Sequence, residues 1–183
     1  MFTTTELSLP GVLLIESTRY DDHRGYFMEL YKEADFSHVL PHFVQDNMSY
    51  SHKGVFRGMH RQLPPAAQAK LVRCLSGKIL DIALDVDSSS PSYTQAIAVE
   101  LTPTNGKALF IPAHYAHGFL ALEEGSVVSY KVDHPYTPDS EVAHNFQHPN
   151  ILRLIESYMP LDQLVISPKD LAAPPLINST KKK

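Results

Sequence analysis

The chain has 183 residues, 43% of them hydrophobic, which is enough for one sizeable core and predicts a single domain over residues 1–183. Its net charge of -4 and pI near 6.2 exclude the basic excess of a nucleic-acid-binding protein, and no segment approaches the ~20 apolar residues of a membrane span. The only cysteine, Cys74, cannot form an internal disulfide, and the N-terminus has no basic region followed by an apolar run, so we expect a cytoplasmic protein.

Short segments in which apolar and polar residues alternate predict β-strands along most of the chain. The clearest is KILDIALDV, where four aliphatic residues share one face while Asp81 and Asp85 lie on the other. Gly-, Pro- and Ser-containing turns separate the segments. In chain order the predicted strands are 11–17, 25–31, 54–62, 69–75, 78–86, 95–101, 107–112, 117–122 and 126–132.

Helices are expected to be few, short and peripheral. The two candidates are 32–40 and 150–159, and we expect residues 177–183 to form a frayed tail. Many short strands at regular spacing predict an all-β fold, either a sandwich, a jelly roll or a small barrel.

The segment GVFRGMHRQ places Arg57, His60 and Arg61 in a run that otherwise has the pattern of a buried strand. An isolated buried charge is costly, so these side chains must be paired or must face a cavity. Strict alternation puts Arg57 and His60 on opposite faces. One site can contain both only if Gly58 permits a bulge or a close backbone approach, and the pattern alone leaves that open.

Ten histidines raise the hypothesis of a metal site, for which His60, His114 and His117 are the candidate ligands. The segment around His60 lacks the His-x-His pair and following glutamate that metal-binding cupins use. We therefore favour the alternative that the other histidines lie in polar loops: His23, His38, His42, His52, His134, His144 and His148.

Seven motifs occur in a fixed order: RGYFMELY, FVQDNMSYSHKGVFRGMHRQ, AQAKLVRCLSGKILDIALDV, SPSY, IPAHYAHGF, SYKVDHPYTPDSE and SPKDLAAPPL. Together they resemble the dTDP-4-dehydrorhamnose 3,5-epimerase family from about Gly11 to Leu176. The resemblance implies a jelly-roll, cupin-like β-sandwich, a homodimer, and neither a metal nor an organic cofactor. It also implies inversion of C3, C5 or both in a dTDP-4-keto-6-deoxyhexose, a nucleoside-diphosphate sugar, in deoxysugar biosynthesis of the dTDP-L-rhamnose type.

Inversion next to a ketone requires a base on one face, an acid on the other, and stabilisation of the enolate oxygen. The resemblance assigns the base to His60 and a supporting carboxylate to Asp170. It assigns the acid to Tyr130 and the group beside the C4 oxygen to Lys70. Taken singly, Asp170 could instead cap a C-terminal turn and Tyr130 could be a core aromatic.

The resemblance also implies a nucleotide-binding set. Arginine binds a diphosphate through two oxygens at once. Arg24 and Arg57 match the positions at which the family binds the diphosphate. Arg24 could equally be half of a surface ion pair. Tyr136 matches an aromatic that stacks on thymine. The other matched ligands are Phe27, Glu29, Gln45, Asp46, Asn47, His117, Glu141 and Lys169.

Two departures from the family pattern concern specificity. Arg61 replaces the aromatic that usually follows the catalytic histidine, and the chain has no tryptophan where the family has Trp-containing segments. We expect altered packing near the site. The alternatives therefore stay open: a monofunctional 3- or 5-epimerase, a 3,4-ketoisomerase, or a non-catalytic or metal-dependent cupin.

Overall fold

The computed structural model describes residues 1–176, and the predicted tail at 177–183 lies outside them. The helices are α1 (Glu33–Phe36), α2 (Pro149–Glu156) and α3 (Pro168–Leu171), with 3-10 turns at Pro138–Ser140 and Leu161–Gln163. The strands are β1 (Phe2–Glu6), β2 (Leu13–Ser17), β3 (Arg19–Asp22), β4 (Gly25–Met28), β5 (Gln45–Ser51), β6 (Val55–Gln62), β7 (Lys70–Ser76), β8 (Ile79–Asp85), β9 (Ala96–Leu101), β10 (Lys107–Ile111), β11 (Tyr115–Ala121), β12 (Ser126–Val132), β13 (Glu141–Ala143) and β14 (Val165–Ile166).

Two sheets form the body of the molecule. The first has the order β1-β2-β10-β7-β12-β5, and the second has the order β13-β6-β11-β8-β9. The pairings are antiparallel except that β14 runs parallel to β6. β3 and β4 form a separate hairpin. This is the all-β, jelly-roll arrangement that the strand spacing and the resemblance predict.

The main core lies between the sheets. Val72, Leu109 and Val128 from the first sheet pack with Ile79 and Phe119 from the second, and all five are at most 4% exposed. Burial of such a side chain is worth about 1.5–3 kcal/mol, so this layer is a major source of stability. The sheets therefore hold a fixed frame around any cavity at their open end.

A second apolar layer covers the outer face of the second sheet. Ile151 and Ile155 on α2 are fully buried against aliphatic residues of β8, including Leu80 and Leu84. β8 is therefore buried on both faces, and its more polar face, with Asp81, points into the molecule. The predicted helix at 150–159 is confirmed over Pro149–Glu156, whereas the one at 32–40 is helical only over Glu33–Phe36.

Sequence patterns missed β1, β3, β5, β13, β14 and α3. β1 is an edge strand exposed on both faces, so its sequence does not alternate. β5, with the sequence QDNMSYS, has polar side chains on both faces. Periodicity of apolar residues cannot detect strands of either kind.

A β-bulge interrupts the pairing of β6 with β11. His117 pairs with His60 and Phe119 pairs with Arg57, so one intervening residue of β11 opposes two of β6. Gly58 has φ +122°, and a Cβ there would lie 2.6 Å from the Cα of Gly118 and 2.7 Å from the carbonyl oxygen of His117. The close backbone approach that a shared site for Arg57 and His60 requires is present.

We expect Gly58→Ala to lower the free energy of unfolding by about 3 kcal/mol, because the methyl group would meet backbone atoms that cannot move aside. Gly25→Ala is the matched control, since Gly25 has φ +132° but nothing lies within 4 Å of the position that a Cβ would take there. Urea denaturation measures both variants. Equal losses in the two would contradict the close contact at Gly58.

Candidate active site

One cavity of about 670 Å³ opens between the sheets. β5, β7 and β12 of the first sheet and β6 and β11 of the second contribute to its wall, and the segments 136–141 and 165–170 close its sides. A cavity of this size, with many polar and charged side chains in its wall, can hold a small polar molecule.

His60 and Asp170 form a hydrogen-bonded pair in this cavity. His60 Nε2 lies 2.7 Å from Asp170 Oδ1, and the carboxylate is almost fully buried. The parallel pairing of β14 with β6 brings α3 to β6, and Ser167 Oγ at the start of α3 accepts a hydrogen bond from the Asp170 N–H. With the Nε2 proton donated to Asp170, His60 Nδ1 keeps its lone pair and is free to accept a proton.

Tyr130 lines the same cavity from the opposite sheet. It lies between Val128 and Val132, both fully buried, and on the opposite face Lys131 donates to Asp46 at 2.9 and 3.0 Å. Burial raises the pKa of the Tyr130 phenol, so the hydroxyl keeps its proton at neutral pH. The side chain therefore presents a protonated hydroxyl among apolar neighbours, as the strand alternation predicts.

Lys70 begins β7 and lies at the cavity wall with 8% exposure. Its Nζ donates to the carbonyl oxygen of Gln68 at 3.3 Å. Burial lowers the pKa of Lys70 to about 8, and the charges of Asp133 and Glu141 oppose that shift in part. The ammonium is charged at neutral pH and poorly solvated, which strengthens its attraction for a developing oxyanion.

The charge of Lys70 gives an expected pH dependence. Its ammonium loses its proton as the pH rises through about 8, so kcat/KM should fall on the alkaline side by up to about tenfold per pH unit. In Lys70→Arg the guanidinium stays charged, and this alkaline limb should disappear whatever the absolute rate. Lys131→Arg is the control and should retain the limb. Persistence of the limb in Lys70→Arg would assign it to another group.

A second histidine–carboxylate pair reaches the cavity from β11. His117 Nε2 lies 2.7 Å from Asp81 Oδ1, and Asp81 is fully buried. Burial raises the pKa of Asp81, while its hydrogen bond and charge interaction with His117 lower it. Sequence patterns placed Asp81 on the polar face of its strand. They could not pair it with His117, because that contact forms only when β8 and β11 lie side by side in the sheet.

The cavity brings together most of the predicted binding residues. Arg57 is held by Ser51 Oγ at 3.1 Å and by the carbonyl oxygen of Tyr50 at 3.0 Å. Lys169 and Glu141 form an ion pair at the rim. The predicted ligands that line the cavity are Gln45, Asn47, Arg57, His117, Tyr136, Glu141 and Lys169.

Four predicted ligands do not line this cavity. Arg24 pairs with Asp22 at 2.5 Å on the β3–β4 hairpin, which is the surface ion pair considered above. Phe27 is 65% exposed on the same hairpin, and Glu29 follows it with its carboxylate 3.6 Å from the N-terminal amine. Asp46 points away from the cavity towards Lys131.

The two departures from the family pattern lie in different places. Arg61 lines the cavity and donates to the carbonyl oxygen of His114 at 3.1 Å, while burial lowers its pKa against the opposing charges of Asp85 and Asp87. The tryptophan-free stretch 144–160 forms α2 and its flanks, and none of it lines the cavity. The stretch lies behind the wall instead, since the ring of Phe146 packs on the cavity-lining Phe56 at 5.2 Å between centroids and His144 exchanges backbone hydrogen bonds with Met59.

Residues that sequence reasoning missed also line this wall, notably Gln62, Gln68, Ser49 and Phe119. Within residues 1–176, no three His, Cys, Asp or Glu side chains are placed to hold a metal ion. In the same part of the chain, no helix has the length and apolar character needed to cross a membrane.

A jelly roll whose cavity holds a His–Asp pair, a buried tyrosine and a buried lysine defines a cupin-like enzyme equipped for proton transfer. The family model for dTDP-4-dehydrorhamnose 3,5-epimerase matches residues 6–178, and the chain belongs to that family of isomerases. It is 39% identical over 173 residues to the dTDP-4-dehydrorhamnose 3,5-epimerase of Sinorhizobium fredii. The matched region covers 93% of this chain and 87% of the relative.

Solved structures give the same fold. A dTDP-6-deoxy-D-glucose-3,5-epimerase from Legionella pneumophila, in complex with dTDP-4-keto-L-rhamnose, has a TM-score of 0.87 at 33% identity, covering 96% of this chain and 93% of the other. A 3'-monoepimerase from Streptomyces bikiniensis, in complex with dTDP-quinovose, has a TM-score of 0.85 at 28% identity, covering 93% and 86%. The predicted fold class and family are confirmed.

Proposed function

We propose that this enzyme inverts C3 and C5 of a dTDP-4-keto-6-deoxyhexose by removing and replacing the proton next to the ketone. The observation that carries the proposal is that His60 and Tyr130 face one cavity from opposite sheets. A base and an acid on opposite sides of a planar enolate are the minimum arrangement for inversion. We place the reaction in deoxysugar biosynthesis of the dTDP-L-rhamnose type, as the names of the relatives suggest.

The proton transfers follow from the contacts of each group. His60 Nδ1 takes the proton from the carbon next to the ketone, and Asp170 at 2.7 Å stabilises the imidazolium that forms. The electron pair moves to the ketone oxygen, where the ammonium of Lys70 balances the charge. Tyr130 then donates its proton to the opposite face of the carbon. Exchange with solvent returns a proton to Tyr130 and removes one from His60, so no net oxidation or reduction occurs.

The nucleotide is bound at the rim in this proposal. Arg57 and Lys169 supply positive charge for a diphosphate, and Tyr136, which is 50% exposed, supplies a ring on which a base can stack. Gln45 and Asn47 add polar contacts from β5. The dTDP complexes of the relatives agree in ligand class with this assignment.

We propose further that the protein is a homodimer and that Arg24, Phe27 and Glu29 serve the cavity of the partner copy. These three lie on or beside the exposed β3–β4 hairpin, whose contacts are with the 102–106 turn and the N-terminus rather than with the cavity of its own chain. Asp46 lies outside the cavity, against Lys131, and its role as a ligand stays a prediction. Light scattering gives the oligomeric state.

A mixing experiment tests the shared site. His60→Ala should be inactive and Arg24→Ala weakly active. Random exchange of subunits should restore about a quarter of the wild-type sites, because one cavity of each mixed dimer is then complete. The two proteins incubated under conditions that prevent exchange are the control. A mixture that is no more active than the two separate proteins would contradict a site shared between subunits.

Arg61 favours a second candidate, a monofunctional epimerase, because it puts a guanidinium where the family has an aromatic side chain. The structural likeness to a 3'-monoepimerase supports keeping this alternative. A cytoplasmic location is also proposed, since Cys74 is a buried free thiol.

Deuterium exchange tests the function. The protein is incubated with dTDP-4-keto-6-deoxyglucose in deuterated water, and NMR measures label at each carbon. Label at C3 and C5 is expected, and label at one carbon would favour the monofunctional alternative. Absence of exchange, or exchange abolished by a chelator, would contradict the proposal and favour a non-catalytic or metal-dependent cupin.

A further inference from the structure

The segment that carries Tyr136 has neither helix nor strand to hold it. Residues 133–137 leave β12 and reach the 3-10 turn at Pro138–Ser140 without joining a sheet. Backbone N–H and C=O groups away from water need partners. Glutamine side chains from three different places in the chain supply four of these partners.

Gln62 holds the backbone on both sides of Tyr136. Its Nε2 donates to the carbonyl oxygen of Pro135 at 3.3 Å, and its Oε1 accepts from the N–H of Thr137 at 2.7 Å. The same Nε2 donates to the carbonyl oxygen of Ala66 at 2.7 Å. Gln62 is 3% exposed, so these bonds have little competition from water.

Two further glutamines also bond to the backbone of this segment. Gln45 Oε1 accepts from the N–H of Tyr136 itself at 3.0 Å, and Gln68 Nε2 donates to the carbonyl oxygen of His134 at 2.7 Å. Gln68 is 5% exposed. Three side-chain amides therefore fix four successive residues of a segment that has no regular structure of its own.

The location of these glutamines connects the segment to the reacting groups. Gln62 lies two residues after His60 on β6, and Gln68 lies two residues before Lys70 at the start of β7. The loop is therefore attached, through buried amides, to the two strands that carry the base and the lysine. The backbone that carries the Tyr136 ring is thereby held relative to both groups.

We propose that Gln62 and Gln68 are positioning residues that set the distance between the nucleotide-base subsite at Tyr136 and the reacting centre at His60 and Lys70. This inference rests on the proposed function, in which a nucleoside diphosphate is bound by base stacking. Neither glutamine is given a role in proton transfer. Loss of either should therefore act on nucleotide affinity, and through it on KM, more than on kcat.

The test compares Gln62→Met, which has similar length but no amide, with Gln163→Met, which changes an exposed glutamine outside this cavity. Calorimetry measures the Kd for dTDP, and exchange assays give KM and kcat. We expect Gln62→Met to raise Kd and KM about tenfold and to lower kcat by less than about threefold. Gln163→Met should match the wild type.

A double-mutant cycle separates positioning of Tyr136 from a general structural role. In a Tyr136→Ala background, Gln62→Met should change the Kd for dTDP by less than about twofold, because the ring that it positions is absent. An equal tenfold loss in both backgrounds, or a wild-type Kd in Gln62→Met, would overturn the inference. If Gln62→Met does not fold, Gln68→Met, which loses one hydrogen bond, is measured by the same cycle and the same criteria.

The outcome also distinguishes this inference from the proposed function. A wild-type protein that neither binds dTDP nor exchanges deuterium would overturn both. Wild-type binding and exchange, together with an unchanged Kd in Gln62→Met, would overturn only the positioning role.

Discussion

His60→Ala should abolish deuterium exchange at both C3 and C5, with kcat lowered about 10³–10⁴-fold. The variant loses the imidazole that is hydrogen-bonded to Asp170, while substrate binding at the rim is left in place. NMR of the substrate in deuterated water measures each position separately. Loss at one carbon alone would mean that a different group acts at the other.

His52→Ala is the matched control for this experiment. His52 is an exposed surface histidine whose Nδ1 contacts Glu124 at 2.5 Å, and it does not line the cavity. Its removal should leave exchange at the wild-type rate. A fully active His60→Ala protein beside an equally active His52→Ala protein would refute the catalytic assignment.

Tyr130→Phe should separate exchange from inversion. His60 can still remove a proton and return a deuteron to the same face, so some label should enter the recovered substrate. Completed inversion should fall about 10²–10⁴-fold, because the opposite face has lost its donor. Product stereochemistry by NMR and label by mass spectrometry give the two rates.

The control for the hydroxyl is Tyr158→Phe, since Tyr158 is 47% exposed and lies outside the cavity. It should retain both exchange and inversion. Inversion by Tyr130→Phe at the rate of Tyr158→Phe would show that another group or a water molecule delivers the proton.

The fold was largely predictable because most strands have one face in the core. Apolar alternation in segments such as β8 and β12 gives both their type and the orientation of their side chains, and Tyr130 lies among buried valines as expected. β5 was not predictable in this way. One of its faces lines a polar cavity and the other is exposed at Met48 and Tyr50, so neither has an apolar pattern.

The site was predictable only where the resemblance supplied a residue, and those roles remain predictions. Asp81 shows what the sequence could not give, because a buried carboxylate and a solvent-facing one look alike until strand neighbours are known. The hairpin with Arg24 shows a second limit. Its sequence position says nothing about which cavity it serves, since a partner copy cannot be inferred from spacing.

The His60–Asp170 pair joins residues 110 positions apart, with Asp170 close to the end of the described chain. During synthesis, every strand of the two sheets except the short β14 is complete by Ala143, well before Asp170 exists. The frame can therefore assemble while the base still lacks its carboxylate. In the proposed mechanism, catalytic competence needs α3 docked against a completed β6, so recovery of activity on refolding should not precede recovery of the β-sheet circular dichroism signal.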